Sequence, residues 1–203
     1  MIKQILVFIF ILGLIGCVKE TQKVVKEKEV VDLKGKKVLM IIASSNFRDE
    51  EYLIPHKILK SYGVDVITAA SSLEISRGML GAKVKPDILL AKAKVEDYEG
   101  IVFVGGNGSS EYWNDKIAHN IAQAAVAQDK ILAAICIAPV TLANADVLIG
   151  KRATVFFSEV KRLKEKGANY TGADVEIDGN IITADGPQAA EKFAQAIIKL
   201  LKE

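Results

Sequence analysis

Short, nearly unbroken apolar runs at Lys37–Ala43, Val64–Ala69, Ile101–Val104 and Ile131–Ile135 recur along the chain, separated by segments with helical spacing. Each run has the length of one strand, and a strand apolar in both directions must be covered on both faces. Between the runs, 50–62 sets Leu53, Ile58 and Leu59 at helical intervals before a stop at Gly63. Residues 116–128 do the same with Ile117, Ile121, Ala124 and Ala125. Strands and helices alternating at this density predict an α/β fold, a three-layer α/β/α sandwich around a mostly parallel sheet.

The remaining segments fit that frame. Gly78, Gly81 and Pro86 punctuate 73–93, which reads as a hairpin excursion with a short return. Arg152–Phe157 and Asp174–Thr183 read as strands, the second folding back at Asp178-Gly179-Asn180. Pro187 opens a final helix whose apolar face is Ala190, Phe193, Ala194, Ile197 and Leu201.

In open parallel sheets chemistry collects beyond the carboxyl ends of the strands. Three features fall there: Glu50-Glu51, the Gly105-Gly106 turn, and Cys136. The run Ile131 to Pro139 drives a buried strand into Cys136 and then into a helix-starting Ala138-Pro139, the context of a nucleophile elbow. Helix-end amides stabilise anions, so Cys136 is expected to ionise more readily than a free thiol. A small, buried apolar side chain is the other reading of the same residue.

Lys3, the apolar stretch Ile5 to Ile15 and the sequence Leu14-Ile15-Gly16-Cys17 have the charged start, short apolar middle and small-residue end of an export signal. A bilayer span needs about 20 residues, more than this run supplies. Leu-Ile-Gly-Cys resembles the lipobox of bacterial lipoproteins, which implies a signal peptide over 1–16 and a lipid on Cys17. Residues 17–36, rich in Lys, Glu and Val, read as a charged tether, and 37–203 as one compact domain. The expected setting is the cell envelope, with the domain exported and held to a membrane by its lipid.

The formal charge of +2 falls to 2 − 1 = +1 without Lys3, which gives nucleic acid no purchase. With Cys17 lipidated, Cys136 has no disulfide partner. Two histidines and no Cys/His ligand spacing give no metal site.

Taken together, Lys37–Ala43, Asp49-Glu50-Glu51-Tyr52-Leu53-Ile54-Pro55, Val102-Phe103-Val104-Gly105-Gly106, Ala134-Ile135-Cys136-Ile137-Ala138-Pro139 and Asp178-Gly179-Asn180-Ile181-Ile182-Thr183-Ala184 resemble the ThiJ/PfpI superfamily, in that family's order. This group holds the PfpI-type intracellular proteases and the Parkinsonism-associated deglycase, within the flavodoxin-like, class I glutamine amidotransferase-like fold. The resemblance implies Cys136 as nucleophile and Glu51, four residues before Pro55, as its acidic partner. It also implies an oxyanion site from the amides of Gly105, Gly106 and Ile137. Burial of Glu51 beside an anion is expected to push its carboxyl toward the protonated state.

The departures are specific. Protease-like members carry a histidine directly after the cysteine, where this chain has Ile137. Deglycase-like members bring a histidine from the strand after the elbow helix, where this chain offers Phe156 or Phe157. A thiol activated by a base needs such a partner, so proteolysis is not expected. His56 and His119 read as packing or surface residues, and Tyr112 and Trp113 as pocket walls together with Phe156 and Phe157. Two functions compete, a cysteine enzyme acting on small reactive carbonyls or a redox-responsive or binding protein whose oxidised Cys136 is stabilised by Glu51, with a surface scaffold that uses neither residue as a third. No cofactor is expected, and the resemblance implies a homo-oligomer.

Overall fold

The computed structural model describes residues 32–203. The signal peptide expected over 1–16, Cys17 and most of the tether lie outside the described residues.

In chain order the elements are β1 (Lys37–Ile41), β2 (Ser45–Phe47), α1 (Asp49–Ser61), β3 (Asp65–Ala70), β4 (Ser76–Gly78), β5 (Lys83–Val84) and β6 (Ile88–Leu89). They continue with β7 (Gly100–Phe103), α2 (Lys116–Ala127), β8 (Ile131–Ile135), α3 (Pro139–Asn144), β9 (Arg152–Ala153), α4 (Val160–Glu165), β10 (Asn169–Tyr170), β11 (Val175–Asp178), β12 (Ile181–Ala184) and α5 (Ala190–Leu201). A seven-stranded sheet runs β11-β12-β8-β7-β1-β3-β6. Every pair in it is parallel except β11 against β12, the hairpin turning at Asp178-Gly179-Asn180. The fold class is as the apolar runs predict.

Why the runs are apolar on both sides is visible in β1. Val38 and Met40 point into one core with Leu59 of α1 and Phe193 and Ile197 of α5. Leu39 and Ile41 point into the other, with Ile121 of α2 and Leu142 of α3. The two outer helical layers together keep water off the sheet, and emptying one large core side chain such as Phe193, fully buried, costs about 3–5 kcal/mol.

Local chemistry fixes the helix starts. Asp115 caps α2 by accepting from the Ala118 N–H at 2.7 Å. Asp49, buried at the start of α1, accepts instead from Leu80 N–H at 2.8 Å and Ala82 N–H at 2.7 Å. That carboxylate straps the β4–β5 hairpin to the helix which carries Glu51, and a side chain at Gly78 would run into it.

Two expectations need correction. Residues 32–36, assigned to the tether, belong to the folded body: Leu33 is buried and its N–H donates to Tyr62 O at 2.7 Å. The strand expected over Arg152–Phe157 is only Arg152–Ala153, paired with β10. Beyond it, Thr154 N–H goes to the Thr183 hydroxyl at 2.8 Å and Phe156 N–H to Cys136 O at 2.8 Å, so the backbone leaves the ladder to brace the elbow.

Candidate functional site

Cys136 sits between β8 and α3 with φ of +65°, a left-handed conformation that L residues rarely adopt. Such strain persists only where surroundings over-determine it. Here the Cys136 N–H donates to Ala184 O at 2.9 Å and its carbonyl accepts from Phe156 at 2.8 Å, so neighbouring β12 and the segment after β9 hold the turn from both sides. The side chain is thereby thrown off the end of the sheet, as an elbow requires.

Glu51 arrives from the first turn of α1 and is fully buried. The two side chains meet across Gly105. A Cβ on that glycine would touch Glu51 Oε2 and come within 2.5 Å of Cys136 Cβ and 2.6 Å of Ile135 O, so nothing larger fits between acid and thiol. Gly106, at φ of +94°, is similarly wrapped by the Asn46–Arg48 backbone. Neither Glu51 oxygen has a fully formed hydrogen bond, although the Cys136 thiol and the Gly105 amide lie close enough to act on the carboxyl electrostatically.

Desolvation dominates the electrostatics. Burial pushes the Glu51 carboxyl up to about 8, against smaller opposing pulls from the thiol and the Arg48 guanidinium. Burial also pushes the Cys136 thiol up to about 12, reinforced by the Glu51 charge and only partly offset by the Gly106 and Ile137 amides. The expected easy ionisation of Cys136 is therefore corrected. The following helix is only six residues long and starts three residues on, and its dipole does not outweigh a buried site shared with an acid. At neutral pH the pair is a neutral thiol beside a neutral carboxyl.

Of the three amides expected to hold an oxyanion, those of Gly106 and Ile137 face the sulfur, whereas that of Gly105 serves Glu51. A cavity of about 610 Å³ opens over Cys136, walled by Met79, Trp113, Phe156 and Pro187 and reached by Arg48 and Glu159. Trp113 is fixed there by its Nε1–H to Ile137 O at 3.2 Å, by Asn144 donating to its carbonyl at 2.7 Å, and by Arg162 stacked 5.1 Å from its ring centre.

Comparison with known proteins turns this geometry into a relationship. The DJ-1/PfpI family model matches residues 36–200. The chain belongs to the DJ-1/PfpI family. An uncharacterized protein of Methanocaldococcus jannaschii is 35% identical over 99% of this chain and 98% of its own length. A deglycase of Pyrococcus horikoshii is 29% identical over 81% of this chain and 99% of its own. Among solved structures, a ThiJ/PfpI domain protein from Brachyspira murdochii superposes with a TM-score of 0.81 at 30% identity, covering 83% of this chain and 98% of that one. Drosophila melanogaster DJ-1beta gives 0.76 at 29%, covering 82% and 90%.

Within this DJ-1/PfpI fold, the slot in which a partner histidine was sought is filled by Phe156, whose ring lines the cavity, while Phe157 is 78% exposed. Tyr112 is no wall either: it lies behind the site, its hydroxyl donating to Ile42 O at 2.9 Å. His56 stays on α1 against the Tyr52 ring. His119, expected at the surface, is half-buried, with Nε2 2.9 Å from Trp113 O. Neither histidine lines the cavity.

Sequence reasoning missed Arg48 and Glu159. Arg48 is the residue preceding α1, and its own N–H donates to Gly105 O at 2.9 Å, locking it to the glycine turn. Its proximity to the acidic motif was the only available signal. Glu159 follows Phe156 by three residues in a tight turn, a spacing that stacks the two side chains on one face. No group of three or more His, Cys, Asp or Glu with metal-binding geometry occurs among the described residues.

Proposed function

We propose that this DJ-1/PfpI protein converts small 2-oxoaldehydes, methylglyoxal the simplest, into 2-hydroxy acids by way of Cys136. The observation that carries the reading is Glu51: a fully buried carboxyl with no fully formed hydrogen bond to either oxygen, set beside the Cys136 thiol where Gly105 leaves no room for a side chain. Relatives named as deglycases, and a glutathione-independent glyoxalase of Caenorhabditis elegans that is 26% identical over 82% of this chain, support it.

The chemistry balances as addition of one water. Sγ adds to the aldehyde carbon, the S–H proton passing to one oxygen of Glu51 while the other gives its proton to the carbonyl oxygen, beside the Gly106 and Ile137 amides. Glu51 then takes the C1 proton while giving its own to the C2 oxygen, and next protonates C2 while taking back the C1 hydroxyl proton, which oxidises C1 to a thioester and reduces C2 to an alcohol. Water cleaves the thioester and restores the thiol. A neutral carboxyl suits such a bifunctional role, and it replaces the histidine base that this site lacks. The test is NMR of lactate formed from methylglyoxal: wild type makes it, Cys136→Ser and Glu51→Gln fall to background, and equal consumption by all three sinks the reading.

A redox role for Cys136 stands second, favoured by the apolar Phe156 in the base position. On that reading mild peroxide oxidises Cys136 to a sulfenic or sulfinic acid at doses that oxidise ordinary thiols, as mass spectrometry of the peptide would show; a Cys136 left unmodified, the outcome that a protonated thiol favours, would sink it. Export and lipidation at Cys17 belong to the same proposal. The Methanocaldococcus jannaschii relative aligns through the N-terminal segment, whereas the other relatives cited cover 81–82% of the chain. Loss of membrane association in Cys17→Ala tests it. Self-association, to be measured by light scattering, is supported by exposed Leu53, Ile54 and Leu80 on α1 and the adjoining β4–β5 turn.

A further inference from the structure

The cavity is larger than the simplest substrate needs. Pockets of about 300–1,000 Å³ accommodate drug-sized ligands, and one of about 610 Å³ leaves most of its space empty around a three-carbon dicarbonyl. The surplus is lined by the apolar side chains Met79, Trp113, Phe156 and Pro187, and it contains one cation, Arg48.

Arg48 is both fixed and partly free. Its backbone is tied to Gly105, and its Nε and Nη2 donate to Glu50 at 2.8 and 3.1 Å. That pairing occupies one edge of the guanidinium; Nη1 makes no hydrogen bond among the described residues. A planar guanidinium with a spare edge is suited to a second carboxylate. The other acidic side chain lining the cavity, Glu159, pairs with Arg162 at 2.8 Å much as Arg48 pairs with Glu50, so what the cavity still offers an anion is the unbonded Nη1 of Arg48.

We infer that the substrate is a 2-oxoaldehyde whose chain ends in a carboxylate, with the aldehyde at Cys136, the methylenes on the apolar walls and the carboxylate on Arg48. The inference rests on the dicarbonyl reading above and narrows it to an anionic, longer member of the class. The reaction is unchanged: water is added, C1 is oxidised and C2 reduced, and a 2-hydroxy dicarboxylate leaves.

The test uses the full-length chain in detergent, with 4,5-dioxopentanoate beside 2-oxopentanal, a neutral substrate of the same length. The expected kcat/KM ratio of anion to neutral is at least about tenfold, carried by KM. It collapses toward one in Arg48→Gln, recovers in part in Arg48→Lys, and falls in Met79→Glu, which brings a negative charge to the wall without touching Arg48. A wild-type ratio of one or less, or an unchanged ratio in Arg48→Gln and Met79→Glu, overturns the inference.

Binding separates this failure from failure of the chemistry. Trp113 is the chain's single tryptophan and lines the cavity, so its fluorescence reports occupancy. Levulinate, the same carboxylate chain without the aldehyde, is expected to bind at least about tenfold more tightly than 2-pentanone, and to lose that advantage in Arg48→Gln and Met79→Glu. If no 2-oxoaldehyde is turned over yet levulinate behaves so, the dicarbonyl chemistry falls while the carboxylate site stands. If levulinate binds no better than 2-pentanone, the carboxylate site is wrong.

Discussion

Glu51→Gln removes one ionisable group from the centre of the fold and gives a pH signature of definite sign. In the folded protein the carboxyl keeps its proton up to about 8, whereas its ordinary value is 4.5. Between those values the unfolded chain has lost a proton that the native state retains. Stability must therefore fall as pH rises, by at most about 1.4 kcal/mol per unit. Over the interval of 8 − 4.5 = 3.5 units the ceiling is about 5 kcal/mol. At roughly 2–4 °C per kcal/mol for a domain of this size, Tm drops by about 10–20 °C from the Glu51 contribution alone. The glutamine variant is neutral throughout and lacks that slope. The assay is thermal unfolding followed by circular dichroism from pH 5 to 8, below the range in which the unfolded chain's thiol, with an ordinary value of 9.0, adds its own ionisation. Subtracting the variant's curve isolates Glu51 from acids elsewhere such as Asp174 and Asp178. Parallel curves for the two proteins, or a wild type that gains on the variant as pH rises, would refute the assignment of a buried neutral carboxyl.

Two further substitutions probe the same site. Gly105→Ala forces a methyl against Cys136 Cβ, the Ile135 carbonyl and Glu51, and overpacking of this kind costs about 1–3 kcal/mol. Denaturant unfolding is expected to register that loss together with loss of dicarbonyl turnover, and wild-type stability would show that the glycine gap is wider than described. Phe156→His restores an imidazole on the cavity wall. A cation near sulfur favours the thiolate by roughly 1–3 pKa units, so iodoacetamide should label Cys136 at least about tenfold faster at pH 7.5. An unchanged rate would mean that position 156 does not govern the thiol.

Much of this molecule was legible in its sequence because the sheet is covered on both faces. Continuous apolar runs such as Ile131–Ile135 admit few other arrangements, and the elbow, Glu51 and the glycine turn fall at strand ends by topology alone. The segment after α3 was misread for a physical reason. Val155 and Phe156 have strand-like composition, yet the Phe156 N–H goes to the Cys136 carbonyl instead of into a ladder. The ionisation state of Cys136 was also hidden. Sequence proximity to a helix start suggests a stabilised thiolate, but the deciding quantity is burial shared with Glu51, a residue 85 positions earlier (136 − 51). Arg48 carries no motif of its own; only the folded glycine turn brings it over the cavity.

The central claim is that Cys136 and Glu51 form one neutral, buried pair. The pH dependence of Cys136 alkylation, followed by mass spectrometry of the modified peptide, examines it most directly. The labelling rate is expected to remain low through neutral pH and to rise only well above the value of about 8.5 at which a free thiol ionises, with the midpoint moving down in Glu51→Gln. A wild-type rate already on its plateau at pH 7, or a midpoint that Glu51→Gln leaves in place, would contradict it.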